Sequence, residues 1–162
     1  MVKMFERSEI EKTLSRYVDL RSEIDLGHNP WTDLCDFYTE DCVYIDPAWG
    51  RVVGRDSIRA FMVESMTGLE GWQFPVEFTA VSGDDCAVKW LQILPGTRSD
   101  GSSYIQTGWS RLVYAGDGLF RYQEDSLNMA HVIEDLAESG WRPGEGFSPP
   151  PRNPNRDFTI PS

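Results

Sequence analysis

Asp46 is the residue in this chain most suited by its setting to move a proton. It closes the apolar run Val43-Tyr44-Ile45 and is followed by Pro47 and, across a turn, by Trp49. A carboxyl set among aromatic side chains is poorly solvated. Its charged form is then disfavoured and its pKa moves toward neutrality, where a proton carrier works best. Glu124, in a later alternating stretch, is a second carboxyl of this kind, and Tyr17 offers a hydroxyl for a developing oxyanion. Each has a structural alternative. Asp46 can cap the turn at Pro47, Tyr17 can be a core tyrosine, and Glu124 can pair with Arg121 or Arg111. His28 and His131 have no metal-ligand spacing, and Cys35, Cys42 and Cys86 form no CxxC. No metal site is expected.

The elements that must position these groups can be read from periodicity. Ser8 and Glu11 have the form of a capping box, and Ile10, Leu14, Tyr17 and Ile24 follow at helical spacing. Asn29 reads as a cap with Pro30 at the first position of a short helix that runs to about Tyr38. Residues 42–46 read as a strand and 54–66 as a helix. From Trp72 the period changes to two, and strands are predicted over 72–80, 86–94, 103–114 and 119–126. A last helix is predicted over 127–139. Helices followed by a run of strands give an α+β domain, with helices on one face of a curved sheet enclosing a pocket.

Strand alternation then sorts the side chains. Tyr44 shares a face with Asp46, Trp90 with Gln92, and Ser110 with Gln106 and Gly108. In the last strand the same rule groups Phe120, Tyr122, Glu124 and Ser126. The expected ligand contacts are therefore Tyr44, Trp49, Trp90, Gln92, Ser110 and Tyr122. Asp46, Glu124 and Tyr17 are the expected catalytic groups. Trp72, Lys89 and Trp109 are left for the opposite face, as contributors to a homodimer.

The bulk composition bounds the ligand. The 162 residues are 40% hydrophobic, with six Trp, six Tyr and eight Phe, which suits one globular domain. A net charge of −11 argues against nucleic acid and anionic membrane surfaces as partners and favours a neutral or weakly polar ligand. There is no apolar run of membrane-span length. The N-terminal stretch lacks a signal-peptide core and the cysteine number is odd, so a cytoplasmic protein is expected. Beyond Trp141 lie six of the ten prolines. Residues 1–141 are expected to form the domain, and 142–162 an irregular Pro-rich arm.

Several segments together resemble the SnoaL-like and ketosteroid-isomerase-like branches of the nuclear transport factor 2-like superfamily. They are Ser15-Arg16-Tyr17-Val18, Phe37-Tyr38-Thr39-Glu40-Asp41, Tyr44-Ile45-Asp46-Pro47, Gly54-Arg55-Asp56-Ser57-Ile58 and Gly116-Asp117-Gly118-Leu119-Phe120. The resemblance implies a cone-shaped fold, a curved antiparallel sheet with helices on its concave face, and a sheet-face homodimer. Tyr17 and Asp46 match the oxyanion tyrosine and proton-shuttling aspartate of the isomerases, but their second donor falls at about Gly108. Glu124 falls where limonene-epoxide-hydrolase-like proteins carry the base, whereas their Arg and Asp positions are Trp90 and Gln92 here. The SnoaL-like cyclases need one acid in an apolar cavity, and this chain meets that requirement. The expected activity is acid/base chemistry without a cofactor, of isomerase, cyclase, dehydratase or hydrolase type, on a hydrophobic substrate bearing a carbonyl or other oxygen. The alternatives are a non-catalytic ligand-binding or assembly module and, less favoured, a transport adaptor.

Overall fold

The computed structural model describes residues 4–162; the first three residues of the N-terminal stretch lie outside it. Helix α1 (Arg7–Asp25) buries the predicted stripe of Ile10, Leu14, Tyr17 and Ile24, and also Arg21 one turn beyond Tyr17. The capping box is not formed. The helix starts a residue before Ser8, at an N-cap Glu6 without a side-chain cap bond, so Ser8 is already helical. The Asn29-Pro30 punctuation is followed by a 3₁₀ helix (Trp31–Phe37), with Pro30 itself at the cap. Helix α2 (Arg55–Met66) opens at Gly54, whose φ of 91° is open to glycine and costly for other residues. Helix α3 (Met129–Ser139) is capped by the Asn128 side chain. No helix among the described residues is long and apolar enough to cross a membrane.

The strands are β1 (Tyr38–Asp46), β2 (Gly50–Val53), β3 (Val76–Ser82), β4 (Asp85–Thr97), β5 (Ser103–Gly116) and β6 (Leu119–Leu127). They form one open sheet in the order β2-β1-β6-β5-β4-β3. Every pairing is antiparallel except that of β1 with β6. The concave face carries the main core, where α1, the 3₁₀ helix and α2 meet residues such as Tyr38, Trp90, Leu112 and Phe120.

Two bulges decide which side chains reach that face. Val113 and Tyr114 are adjacent in β5 but pair with Tyr122 and Phe120, so β6 carries one extra residue at Arg121. A bulge of this kind inverts the alternation beyond it. Phe120 therefore points into the main core, whereas Tyr122 packs on the far face with Val43, Ile45 and Val113. The same thing happens at Glu77, because Val76 pairs with Trp90 and Phe78 with Lys89. Trp72, expected on the outer face, consequently lies on the inner side, stacked on Phe74 and meeting Trp141 edge-on. The outer face instead presents Phe78 against Trp109, with Lys89 paired to Glu77.

Residues 142–162 contain no helix or strand and wrap the domain. Phe147 lies over Gly68, where an added Cβ would come within 2.7 Å of it. Farther along, the Arg51 amide donates to the Asn155 carbonyl at 2.9 Å, continuing the β2 edge. Arg51 also holds the carbonyls of Asp157 and Thr159, and Ile160 covers the Val43–Tyr122 cluster. A chain truncated after Trp141 is expected to keep its far-UV circular dichroism while losing about 2 kcal/mol of stability as this apolar surface is exposed. Its tryptophan emission should shift to the red, since the arm also roofs the cavity described next.

Candidate active site

A cavity of about 220 Å³ opens between the concave face of the sheet and the helices. It is smaller than the roughly 300–1,000 Å³ of sites that hold drug-sized ligands, so its occupant is compact. Its walls are rich in aromatic side chains, with Tyr44, Trp49, Phe61, Trp90 and Trp141 from the domain and Phe147 from the arm. Helix α3 contributes Val132 and Leu136. It is tied to the sheet through the buried Asp135, which takes hydrogen bonds from Arg98 at 2.7 Å and Gln106 at 2.6 Å.

Asp46 lines this cavity and also caps its turn. Its Oδ1 accepts the backbone N–H groups of Ala48 and Trp49, each at 2.8 Å. No described residue hydrogen-bonds Oδ2, which leaves that oxygen to the cavity. Burial pushes the carboxyl up to about 6; the two N–H bonds oppose this and the charge of Asp125 adds to it. A carboxyl with one oxygen pinned and the other free, titrating just below neutrality, suits either direction of proton transfer.

Beside it stands a closed polar network that the sequence did not reveal. Gln123 Oε1 accepts from Tyr17 Oη at 3.1 Å and from Tyr38 Oη at 2.6 Å. Gln123 Nε2 donates to Tyr44 Oη at 3.2 Å and to Asp125 Oδ1 at 2.9 Å. Asp125 also accepts from Ser110 Oγ at 2.6 Å and from the Tyr44 hydroxyl, and Trp90 Nε1 donates to Ser110 Oγ at 2.9 Å. Burial raises the pKa values of Tyr17, Tyr38 and Tyr44, so all three remain protonated donors. Tyr17 thus reaches the cavity as expected, but its hydrogen is already engaged.

The other predicted residues divide cleanly. Tyr44, Trp49, Trp90 and Gln92 join Asp46 and Tyr17 in the cavity wall. Ser110 stands behind Asp125 and bridges it to Trp90 without lining the cavity. Glu124 and Tyr122 are not in the site. The bulge at Arg121 turns them to the outer face, where the Tyr122 hydroxyl donates to Glu124 at 2.8 Å. The same bulge brings Gln123 and Asp125 inward in their place. Arg21, which lines the cavity, did leave a signal: it is an arginine in the apolar stripe, four residues after Tyr17.

Gly108 is a glycine because Trp90 lies on it. A Cβ there would stand 2.5 Å from the indole ring. Gly108→Ala is therefore expected to displace Trp90 and cost about 1–3 kcal/mol, measurable by urea unfolding.

An open, curved six-stranded sheet with helices packed on its concave face defines the nuclear transport factor 2-like fold. The model of the SnoaL-like domain matches residues 16–122, and the chain belongs to that family. Among solved structures, it is similar to a protein from Jannaschia sp. CCS1 assigned to the SnoaL-like polyketide cyclases. That pair has a TM-score of 0.63 and 17% identity over 86% of this chain and 99% of the other. An NTF2-like protein from Anabaena variabilis ATCC 29413 gives a TM-score of 0.60 at 13% identity, covering 79% of this chain and 96% of that one. TerC, co-crystallized with polyporic acid, gives 0.57 at 18% identity, covering 80% and 98%. At these identities the likeness is one of fold. No curated protein matches the chain.

Proposed function

We propose that the protein is a small-molecule enzyme that moves a proton on a compact hydrophobic substrate bearing a carbonyl, with Asp46 as the acid/base. The observation that carries this reading is the Asp46 carboxyl itself, held through Oδ1, open at Oδ2 and raised to about 6. As a base, Oδ2 would take a proton from the carbon next to the carbonyl. The C–H electron pair then forms the enolate, and the protonated carboxyl returns the proton to carbon or to a leaving oxygen. Isomerisation, cyclisation and elimination all share this first step. The enclosing aromatic walls keep water from competing for the proton. TerC was crystallized with polyporic acid, which supports a small-molecule ligand for this fold.

The test is hydrogen–deuterium exchange, followed by NMR in deuterated water, at the α-carbon of a panel of compact cyclic and aryl ketones and keto acids. Exchange accelerated by the wild type and not by Asp46→Asn supports the reading. Exchange that survives the substitution refutes it. One observation favours a second reading, a binding module without turnover: the hydroxyls of Tyr17 and Tyr44 are satisfied within the protein. That reading expects ligands to bind and none to exchange.

A further inference from the structure

Three buried side-chain donors on residues that line the cavity have no hydrogen-bond partner among the described residues. They are Arg21 Nε, Gln92 Nε2 and Trp72 Nε1, and Arg21 and Gln92 are each only 5% exposed. They are neighbours. The Arg21 guanidinium stacks 5.5 Å from the centre of the Trp90 ring and 5.7 Å from that of Trp31, and donates to the Phe74 carbonyl at 3.1 Å. Trp72 stacks on Phe74, and the isolated Gln73–Ile93 bridge sets the segment that carries Trp72 beside β4, which carries Gln92.

A buried guanidinium keeps its charge, because arginine does not deprotonate in proteins. Among the described residues no Asp or Glu forms an ion pair with Arg21. Asp125 and Asp25 act on it through space, and the Tyr17 hydroxyl acts on it both through space and by hydrogen bonding. Asp125 is itself held by three donors and Asp25 by the Phe74 amide. A buried cation and two unpaired donors on residues lining one cavity are unfavourable when unpartnered and become favourable when an anionic acceptor reaches them.

We propose that Arg21, Gln92 and Trp72 form an anion subsite, and that the ligand of this cavity is a compact apolar carboxylate. The assignment deepens the acid/base reading, since it places the substrate's acid group at Arg21 and leaves the rest of the molecule to Asp46. The chain's net charge of −11 does not oppose it. Surface charges are screened beyond about 8–10 Å, whereas a desolvated guanidinium inside the cavity is not.

Binding tests this without any need for turnover. Titrations followed by calorimetry and tryptophan fluorescence would compare benzoate, phenylacetate, cyclohexanecarboxylate and 2-naphthoate with their methyl esters. At least one acid is expected to bind about 10–100-fold more tightly than its ester. Arg21→Met, which keeps the stem that packs on Trp90, should erase that preference and change ester affinity far less. Gln92→Leu should weaken acid binding about 3–10-fold and serves as an independent readout if Arg21→Met does not fold. Asp46→Asn should bind the acids at least as well as the wild type, which separates this proposal from the proton-transfer reading. Wild-type protein that binds no acid more tightly than its ester overturns the subsite, as does an unchanged preference in both Arg21→Met and Gln92→Leu.

Discussion

Replacing Asp46 with Asn is expected to lower turnover by about 10²–10⁴-fold and, at neutral pH, to make the protein harder to unfold. Asn retains an Oδ1 that can accept the Ala48 and Trp49 amides, so the turn should hold while the proton carrier is lost. The stability effect follows from the pKa. Burial raises the folded-state carboxyl from 3.8 to about 6, so the folded protein holds this proton more tightly than the unfolded chain does. The stabilising contribution is fully present below about pH 4 and is lost as pH rises through about 6. At about 1.4 kcal/mol per unit, the ionised carboxyl weighs on the folded state by about 3 kcal/mol at neutral pH. Urea unfolding of wild type and variant should therefore diverge near pH 7.5 and meet near pH 4. Wild-type base catalysis should rise across about pH 5–7 and then level off, as the carboxylate forms. A variant that is inactive yet no more stable than wild type at neutral pH would mean that Asp46 is solvated and not a raised acid.

Gln123→Leu is expected to cost about 3–5 kcal/mol, the largest loss of stability from a single substitution considered for this protein. Leu fills a similar volume, so the cost is polar. Tyr17 and Tyr38 lose their shared acceptor, Asp125 loses a donor and Tyr44 loses the amide that donates to its oxygen. All three tyrosines are buried among apolar side chains. For a chain of this size the melting temperature should fall by about 10 °C. Gln123→Glu keeps an acceptor for both tyrosines but sets a second carboxyl beside Asp125, so its stability should improve on acidification. A Gln123→Leu protein within about 1 kcal/mol of wild type would show that the network orients the cavity wall without holding the fold together.

The two substitutions act on residues that differed greatly in legibility. Asp46 was visible because its cues are local: an apolar strand, a proline and a turn within a few residues. Helix α2 and its glycine start, the hairpin at Gly116 and the stripe of α1 were visible for the same reason. Gln123 and Asp125 were not. Period-two reading assigned Tyr122 and Glu124 to the cavity, and it would have been right for an unbroken strand. The extra residue at Arg121 follows from how β6 must register with its hairpin partner β5 and at the same time with β1, and β1 lies far away in sequence. Trp72 was misplaced by the same effect at Glu77.

The sequence by itself determined the fold class, the order of the elements apart from β2, the SnoaL-like family and the carboxyl at the end of β1, because helical stripes, turn residues and strand periods are short-range chemistry. Tertiary structure alone decided which carboxyl faces the cavity and which is turned away. It also decided that Tyr17 donates inward to Gln123 and that Arg21 is left buried without an ion pair. Those outcomes depend on bulges and on donor–acceptor partners brought together from opposite ends of the chain. A one-residue change of register exchanges an entire face while leaving the local pattern almost unaltered.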